Sequence, residues 1–247
     1  MRHGNKVATV TALFWLIKIA ATTLGETGGD ALSMSLGLGY LLGSLVFALL
    51  FALTVSTQIR LRDFNPAIYW LTIIATTTLG TTLADFATRS LGIGYAGGSA
   101  LLLALLAASL LFWRWHLGAI SASSIETPSA ERHYWLVVLC SQTLGTALGD
   151  WSADSAGLGY DGAALIFGAA LLLIVAAYAF TRLSRTALFW AAFILTRPLG
   201  AAVGDYLDKP LTDGGLALSR VAASAVLLAV IIVLVALSMR RQTTPLQ

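Results

Sequence analysis

The chain alternates between long apolar runs and short polar breaks. Eight runs can be read, at about residues 10–33, 37–58, 66–87, 92–113, 134–153, 158–180, 187–207 and 215–239. A helix needs ~20 mostly apolar residues to cross a hydrocarbon core of ~30 Å. Each run is therefore predicted to be a spanning helix, which makes the chain an all-α polytopic protein with eight transmembrane helices. The links after the first, third, fifth and seventh runs are very short. Those after the second, fourth and sixth carry charge: Arg60, Arg62 and Asp63, then Arg114 to Arg132, then Arg182 and Arg185. The stretch 114–133, with Ser121, Ser123, Ser124, Pro128 and Ser129, reads as a linker between residues 1–120 and 121–247.

Composition sharpens this picture. Hydrophobic residues make up 57% of the 247 and charged residues only 11%, and mean hydropathy is +0.82. Soluble domains carry about a quarter charged residues, so a soluble globular enzyme is excluded. Disorder, which needs low hydrophobicity, is excluded too. The single cysteine, Cys140, rules out a disulfide framework. The pI is near 9.2, but the basic residues punctuate the chain instead of forming the patch that nucleic acid requires, so no nucleic-acid partner is expected.

Lys and Arg set the expected orientation. One side holds Arg2, Lys6, Arg60, Arg62, Arg114, Arg132, Arg182, Arg185, Arg240 and Arg241; the other has Arg89 and Lys209. The positive-inside rule then puts both termini in the cytoplasm. Lys18 interrupts the first run and no Ala-x-Ala site follows it, so this run reads as an uncleaved span.

One pattern occurs four times. Its copies run Thr23-Leu24-Gly25 to Asp30, Thr78-Leu79-Gly80 to Asp85, Thr143-Leu144-Gly145 to Asp150, and Pro198-Leu199-Gly200 to Asp205. A tryptophan (Trp15, Trp70, Trp135, Trp190) stands ten residues before each first glycine. Gly37-Leu38-Gly39-Tyr40, Gly92-Ile93-Gly94-Tyr95 and Gly157-Leu158-Gly159-Tyr160 follow the first three copies; Gly214-Gly215-Leu216 is a degenerate fourth. Successive Asp residues are spaced by 55, 65 and 55 positions. Each unit is thus a helical hairpin. Units one and two recur as three and four, predicting two similar halves about a pseudo-twofold axis normal to the membrane. Four tandem two-span units, each with a tryptophan in its first span, resemble a family of bacterial inner-membrane proteins known only as membrane-anchored proteins. The resemblance covers essentially the whole chain and implies a multi-pass protein of the bacterial plasma membrane. It implies no activity and no site residues.

The residues themselves suggest chemistry. Gly25/Gly29, Gly80/Ala84, Gly145/Gly149 and Gly200/Gly204 have the small-xxx-small spacing that lets helices approach closely in lipid. The aspartate after each pair needs another explanation. If the tryptophans mark the inner interface, each Asp lies fifteen residues deeper, roughly 22 Å into the bilayer. Ionisable groups at that depth face a cavity or a partner; the alternative is that they cap short outer hairpins. Four residues beyond each Asp stand Met34, Arg89, Asp154 and Lys209. Asp85/Arg89 and Asp205/Lys209 are i, i+4 ion pairs, whereas Glu26/Asp30 and Asp150/Asp154 have no local counter-charge. Units one and three therefore read as the cation-binding copies, with Glu26, Asp30, Asp150 and Asp154 as ligands. Thr23, Thr27, Thr143 and Thr146 would support them, and Asp85 and Asp205 would be structural. Arg197, in mid-span, is expected to pair with Glu26. Arg220 is expected near Asp213 or Asp205, and Lys18 is expected to snorkel to the inner interface.

Oxygen donors without imidazole or thiolate suit Mg²⁺, Mn²⁺, Ca²⁺, monovalent cations or protons. The leading expectation is a plasma-membrane transporter or channel for an oxygen-seeking cation, Mn²⁺ or Mg²⁺ favoured, with no resident cofactor. A proton-coupled carrier of a small organic solute and a non-transporting scaffold or sensor are the alternatives. No enzyme motif is present in the sequence. The basic asymmetry generates a topological prediction: cysteines at positions 35 and 155 should react with a membrane-impermeant thiol reagent added outside intact cells. Labelling of both only from the cytoplasmic side would reverse the orientation.

Overall fold

The computed structural model describes residues 5–120 and 125–243. The linker serines Ser121, Ser123 and Ser124, and Arg2 and His3, lie outside the described residues. The fold is all-helical, with eight long helices: α1 (Ala12–Asp30), α2 (Gly39–Arg60), α3 (Pro66–Asp85), α4 (Gly94–Leu117), α5 (Pro128–Asp150), α6 (Gly159–Phe180), α7 (Arg185–Asp208) and α8 (Arg220–Thr243). Each odd helix starts on a side-chain cap that satisfies an otherwise orphaned N–H. Thr11 accepts from Phe14, Asn65 from Ile68, Thr127 from Ala130 and Ser184 from Ala187. Pro66 and Pro128 sit in the first turn, where no backbone donor is needed.

Local chemistry also ends the helices. After Asp30, Asp85 and Asp150 the chain widens into a five-residue π turn, closed by Leu36 N–H to Ala31 C=O, Leu91 to Phe86 and Ala156 to Trp151. The Gly-x-Gly that follows reverses the chain with both glycines left-handed, such as Gly37 at φ 70° and Gly39 at φ 71°. A side chain would strain that backbone. The fourth connection is built differently. α7 runs unbroken through Pro198 to Asp208, then a 3₁₀ turn (Leu211–Asp213), Gly214 at φ 84° and Ala217 at φ 52° lead into α8.

The helices form two shells. α1 packs on α3, α3 on α5, α5 on α7 and α7 on α1, closing an inner ring of the four motif-bearing helices. The even helices lie outside, each chiefly against the first helix of the following repeat: α2 on α3, α4 on α5, α6 on α7 and α8 on α1. No repeat folds back mainly on itself, and the ring runs through both halves of the chain. Six helices are long and apolar enough to cross a membrane. The two that fall short are α1 and α5, both inner-ring helices rich in charged and hydroxyl side chains. Exposed apolar surface is supplied instead by helices such as α6, whose Leu165, Leu172, Leu173 and Val175 point outward.

Each glycine pair fits the next repeat around the ring. A Cβ on Gly25 would stand 2.4 Å from Thr77 Oγ1, one on Gly80 3.0 Å from the Gln142 backbone, one on Gly145 2.4 Å from Arg197 Cγ, and one on Gly200 2.3 Å from Thr22 Oγ1. Thr22, Thr77, Gln142 and Arg197 hold the same position in the four repeats. The tryptophans close the far end of the ring by the same rule. Phe14 meets Trp70 (5.4 Å between centroids), Tyr69 meets Trp135 (5.6 Å), Tyr134 meets Trp190 (6.0 Å) and Phe189 meets Trp15 (5.9 Å). Trp70, Trp135 and Trp190 are buried, and they lock neighbouring repeats together. Buried hydroxyls on these helices bond back to carbonyls three or four residues earlier, as Thr72, Thr76, Thr78 and Ser141 do.

The close approach at Gly80 is against backbone, which cannot swing away. Gly80→Val should cost about 2–3 kcal/mol of stability through overpacking. Gly168→Val, on a helix face with nothing within 4 Å, should leave thermal unfolding and size-exclusion behaviour close to native.

Candidate functional site

The aspartates of all four repeats gather at the end of the ring opposite the tryptophans. Asp30, Asp85, Asp150 and Asp205 are each at most 2% exposed. One turn before them, at one shared repeat position, stand Glu26, Thr81, Thr146 and Ala201. Another turn back, Arg197 fills the centre of the ring and is wholly buried. Its Nη2 lies 3.0 Å from Glu26 Oε2 and also donates to Thr81 Oγ1 and Thr146 Oγ1, while Nη1 donates to the Thr22 carbonyl at 3.2 Å. One guanidinium thus joins α7 to α1, α3 and α5. The expected Arg197–Glu26 pair is present.

The pairing of the aspartates departs from the local i, i+4 reading. Arg89 lies 3.0 Å from Asp85 of its own repeat and 3.4 Å from Asp150 of the next. Lys209 lies 3.0 Å from Asp205 and 2.9 Å from Asp30. Asp30 and Asp150 are therefore not uncompensated. The ring brings each of them the base of the preceding repeat, which no reading within one hairpin reveals. Arg220 Nε sits 3.2 Å from Asp208 and 3.8 Å from Asp30, not on Asp213 or Asp205 as expected. Burial opposes the Lys209 charge, but Asp205 and Asp30 outweigh it and hold the ammonium well above the usual lysine range.

Six carboxylates (Glu26, Asp30, Asp85, Asp150, Asp205 and Asp208) here face four bases (Arg89, Arg197, Lys209 and Arg220). Glu26, Asp30 and Asp205 each offer an oxygen within 4.8 Å of the others, the one acidic group among the described residues with metal-ligand spacing. Buried oxygens Asp30 Oδ1, Asp150 Oδ1 and Asp208 Oδ1 accept no hydrogen bond. Asp205 therefore joins Glu26 and Asp30, while Asp150 stands across the ring and Asp154 is exposed beyond it. Of the expected hydroxyl ligands, Thr146 serves Arg197. Thr23 and Thr143 bond back to Ile19 and Leu139, and Thr27 accepts from Ser224 of α8. Thr81 was missed, although it occupies the repeat position of Glu26; it donates to the Gly25 carbonyl and lies 3.5 Å from Glu26 Oε2.

Lys18 does not snorkel. It is wholly buried, 4.2 Å above the Phe193 ring and 3.4 Å from Gln142 Oε1. With Arg197 it puts two cationic side chains inside the ring between its tryptophan and aspartate ends. On the tryptophan side Lys6 and Glu131 form a buried pair at 2.6 Å, and Lys6 also donates to the Gln58 carbonyl.

These features define a helical membrane-type protein assembled from four tandem repeats around a buried charged centre. Residues 13–64, 68–116, 133–184 and 188–244 match the family described as Repeat of Unknown Function (DUF347), and the chain belongs to that family. No curated protein and no solved structure matches the chain.

Removing the central guanidinium while leaving its carboxylate should be severe. Arg197→Met strands buried Glu26 and should cost about 3–5 kcal/mol. Arg197→Met with Glu26→Gln should recover most of that loss, because removing both members of a desolvated pair costs less than removing one. A double-mutant cycle on thermal unfolding measures the coupling, and additive losses would show that the pair does not act as a unit.

Proposed function

We propose that this chain is an eight-span transporter of the bacterial plasma membrane, with both termini cytoplasmic and the carboxylate end of the ring facing outward. It binds an oxygen-seeking cation, Mn²⁺ or Mg²⁺ favoured, at Glu26, Asp30 and Asp205. The observation that carries this reading is the convergence of three buried carboxylate oxygens within 4.8 Å, beside a buried Asp30 oxygen that accepts no hydrogen bond. Hard cations take such oxygens in exchange for hydration water. Asp150 extends the same field across the ring, with Asp154 at its exposed rim. α1 and α5 cross the membrane although their own hydropathy is low, because the other helices shield them from lipid. The two halves are then expected to superpose about an axis along the membrane normal.

A carrier fits better than an open channel. Arg197 and Lys18 fill the ring interior, and a continuous aqueous path would have to pass both. A second reading rests on the excess of carboxylates over bases: two protons balance the site as well as one divalent ion does, as a proton-coupled solute carrier requires.

Purified protein in liposomes should take up Mn²⁺. Asp30→Asn should lower uptake at least tenfold while leaving folded protein, since it removes a charged ligand and leaves Lys209 paired with Asp205. Proton-coupled solute carriage would instead give no Mn²⁺ flux, with lumenal acidification only when the solute is supplied. Native protein that moves neither would overturn transport as the function.

A further inference from the structure

Lys209 occupies the place where the proposed cation binds. Its ammonium is 2.9 Å from Asp30 Oδ2 and 3.0 Å from Asp205 Oδ1, on two of the three carboxylates that converge. A resident ammonium and a divalent ion cannot share those oxygens at contact distance. The side chain has to move.

The segment carrying Lys209 differs from its counterparts in the other repeats. Repeats one to three leave the ring through a π turn and paired left-handed glycines. Repeat four instead folds a strap back over the end of α7. Leu216 N–H bonds to Tyr206 C=O at 2.8 Å, Ala217 to Lys209 C=O at 2.9 Å and Leu218 to Leu207 C=O at 2.9 Å. Gly215 lies against the Lys209 carbonyl so closely that a Cβ there would stand 2.1 Å from the oxygen. Ala217, at φ 52°, holds a left-handed backbone that alanine adopts only at a cost. Arg89, the other base at this repeat position, has no such strap; it sits within a π turn and lies over the Tyr95 ring.

We propose that Lys209 is a tethered counter-cation that competes with the external ion for Asp30 and Asp205, held in place by the 209–218 strap. The ion binds when the strap lifts and the ammonium leaves; when the ion departs, Lys209 returns and neutralises the emptied carboxylates. A permanently attached competitor acts at a high effective concentration, so it weakens ion binding without closing the site. It also keeps the unloaded carrier from presenting bare buried carboxylates, which would be costly. This rests on the cation reading above and adds its regulation.

The test uses the full chain in nanodiscs, with Mn²⁺ as the probe and the electron paramagnetic resonance signal of free Mn²⁺ as the readout. Lys209→Gln should bind Mn²⁺ at least tenfold more tightly than native protein, and Lys209→Gln with Asp30→Asn should lose that gain. Gly215→Ala keeps every charge but pushes the strap off the Lys209 carbonyl. It should also tighten binding, and it carries the test if Lys209→Gln does not fold. If native protein, Lys209→Gln and Gly215→Ala bind with equal affinity, the tethered-cation proposal fails while the cation site stands. If none of the three binds Mn²⁺, both fail.

Discussion

A single buried guanidinium organises the inner bundle. Arg197 has no access to solvent, and a charge at such a position is tolerated only where it is paired and hydrogen-bonded. Glu26 supplies the counter-charge, and Thr22, Thr81 and Thr146 supply acceptors from the three other ring helices. Its stem lies where a side chain on residue 145 would be, so Gly145 and Arg197 require each other. Helices in lipid gain little from hydrophobic contact with one another. Close glycine packing and a shared polar centre are then what remain to hold the ring together, and both meet at this residue.

The repeats interlock because each presents a small surface on one side and a large one on the other. Gly25 and Gly29 accept Thr77 and Thr81; Gly200 and Gly204 accept Thr22 and Glu26. At the tryptophan end an aromatic residue of one repeat reaches the tryptophan of the next, and the fourth repeat closes on the first through Phe189 and Trp15. Such contacts are directional, so four units close a ring and none is left with an unmatched face. Placing each even helix on the following repeat adds a further clasp between units, as α8 shows where Ser224 bonds to Thr27 of α1.

Much of this was legible in the sequence, though not evenly. The apolar runs locate all eight helices, and the fourfold motif corresponds to the four matched repeats. The glycine spacing indicates close packing, and the depth of Arg197 selects Glu26 as its partner. What a linear reading lacked was the order of repeats around the ring. Arg89 looked like the private partner of Asp85, and Lys209 of Asp205, because i, i+4 neighbours are visible along one helix. Asp150 and Asp30 come from the next helix, where sequence distance carries no information. Lys18 was misplaced for a related reason. It lies near Trp15 in sequence, but its own face of the helix turns into the ring, against Phe193 and Gln142.

Sequence divergence among the copies then acquires a physical meaning. A ring of four identical repeats would put four buried aspartates together with no relief, or with a base beside every one and no net charge. Alternation solves this with two bases, because a base four residues after one Asp also reaches the Asp of the following repeat. Arg89 and Lys209 thus neutralise parts of all four repeats while leaving Met34 and Asp154 at the equivalent positions. The site retains more carboxylates than bases, and the surplus is concentrated by Glu26, the only acid at its repeat position, beside Asp30 and Asp205. Threonine and alanine at the other three copies of that position keep the negative charge on one side of the ring. An assembly built from near-identical parts thereby acquires a single preferred place for a positive ion. The base beside that place sits on the one connection at the aspartate end that is built differently from the rest.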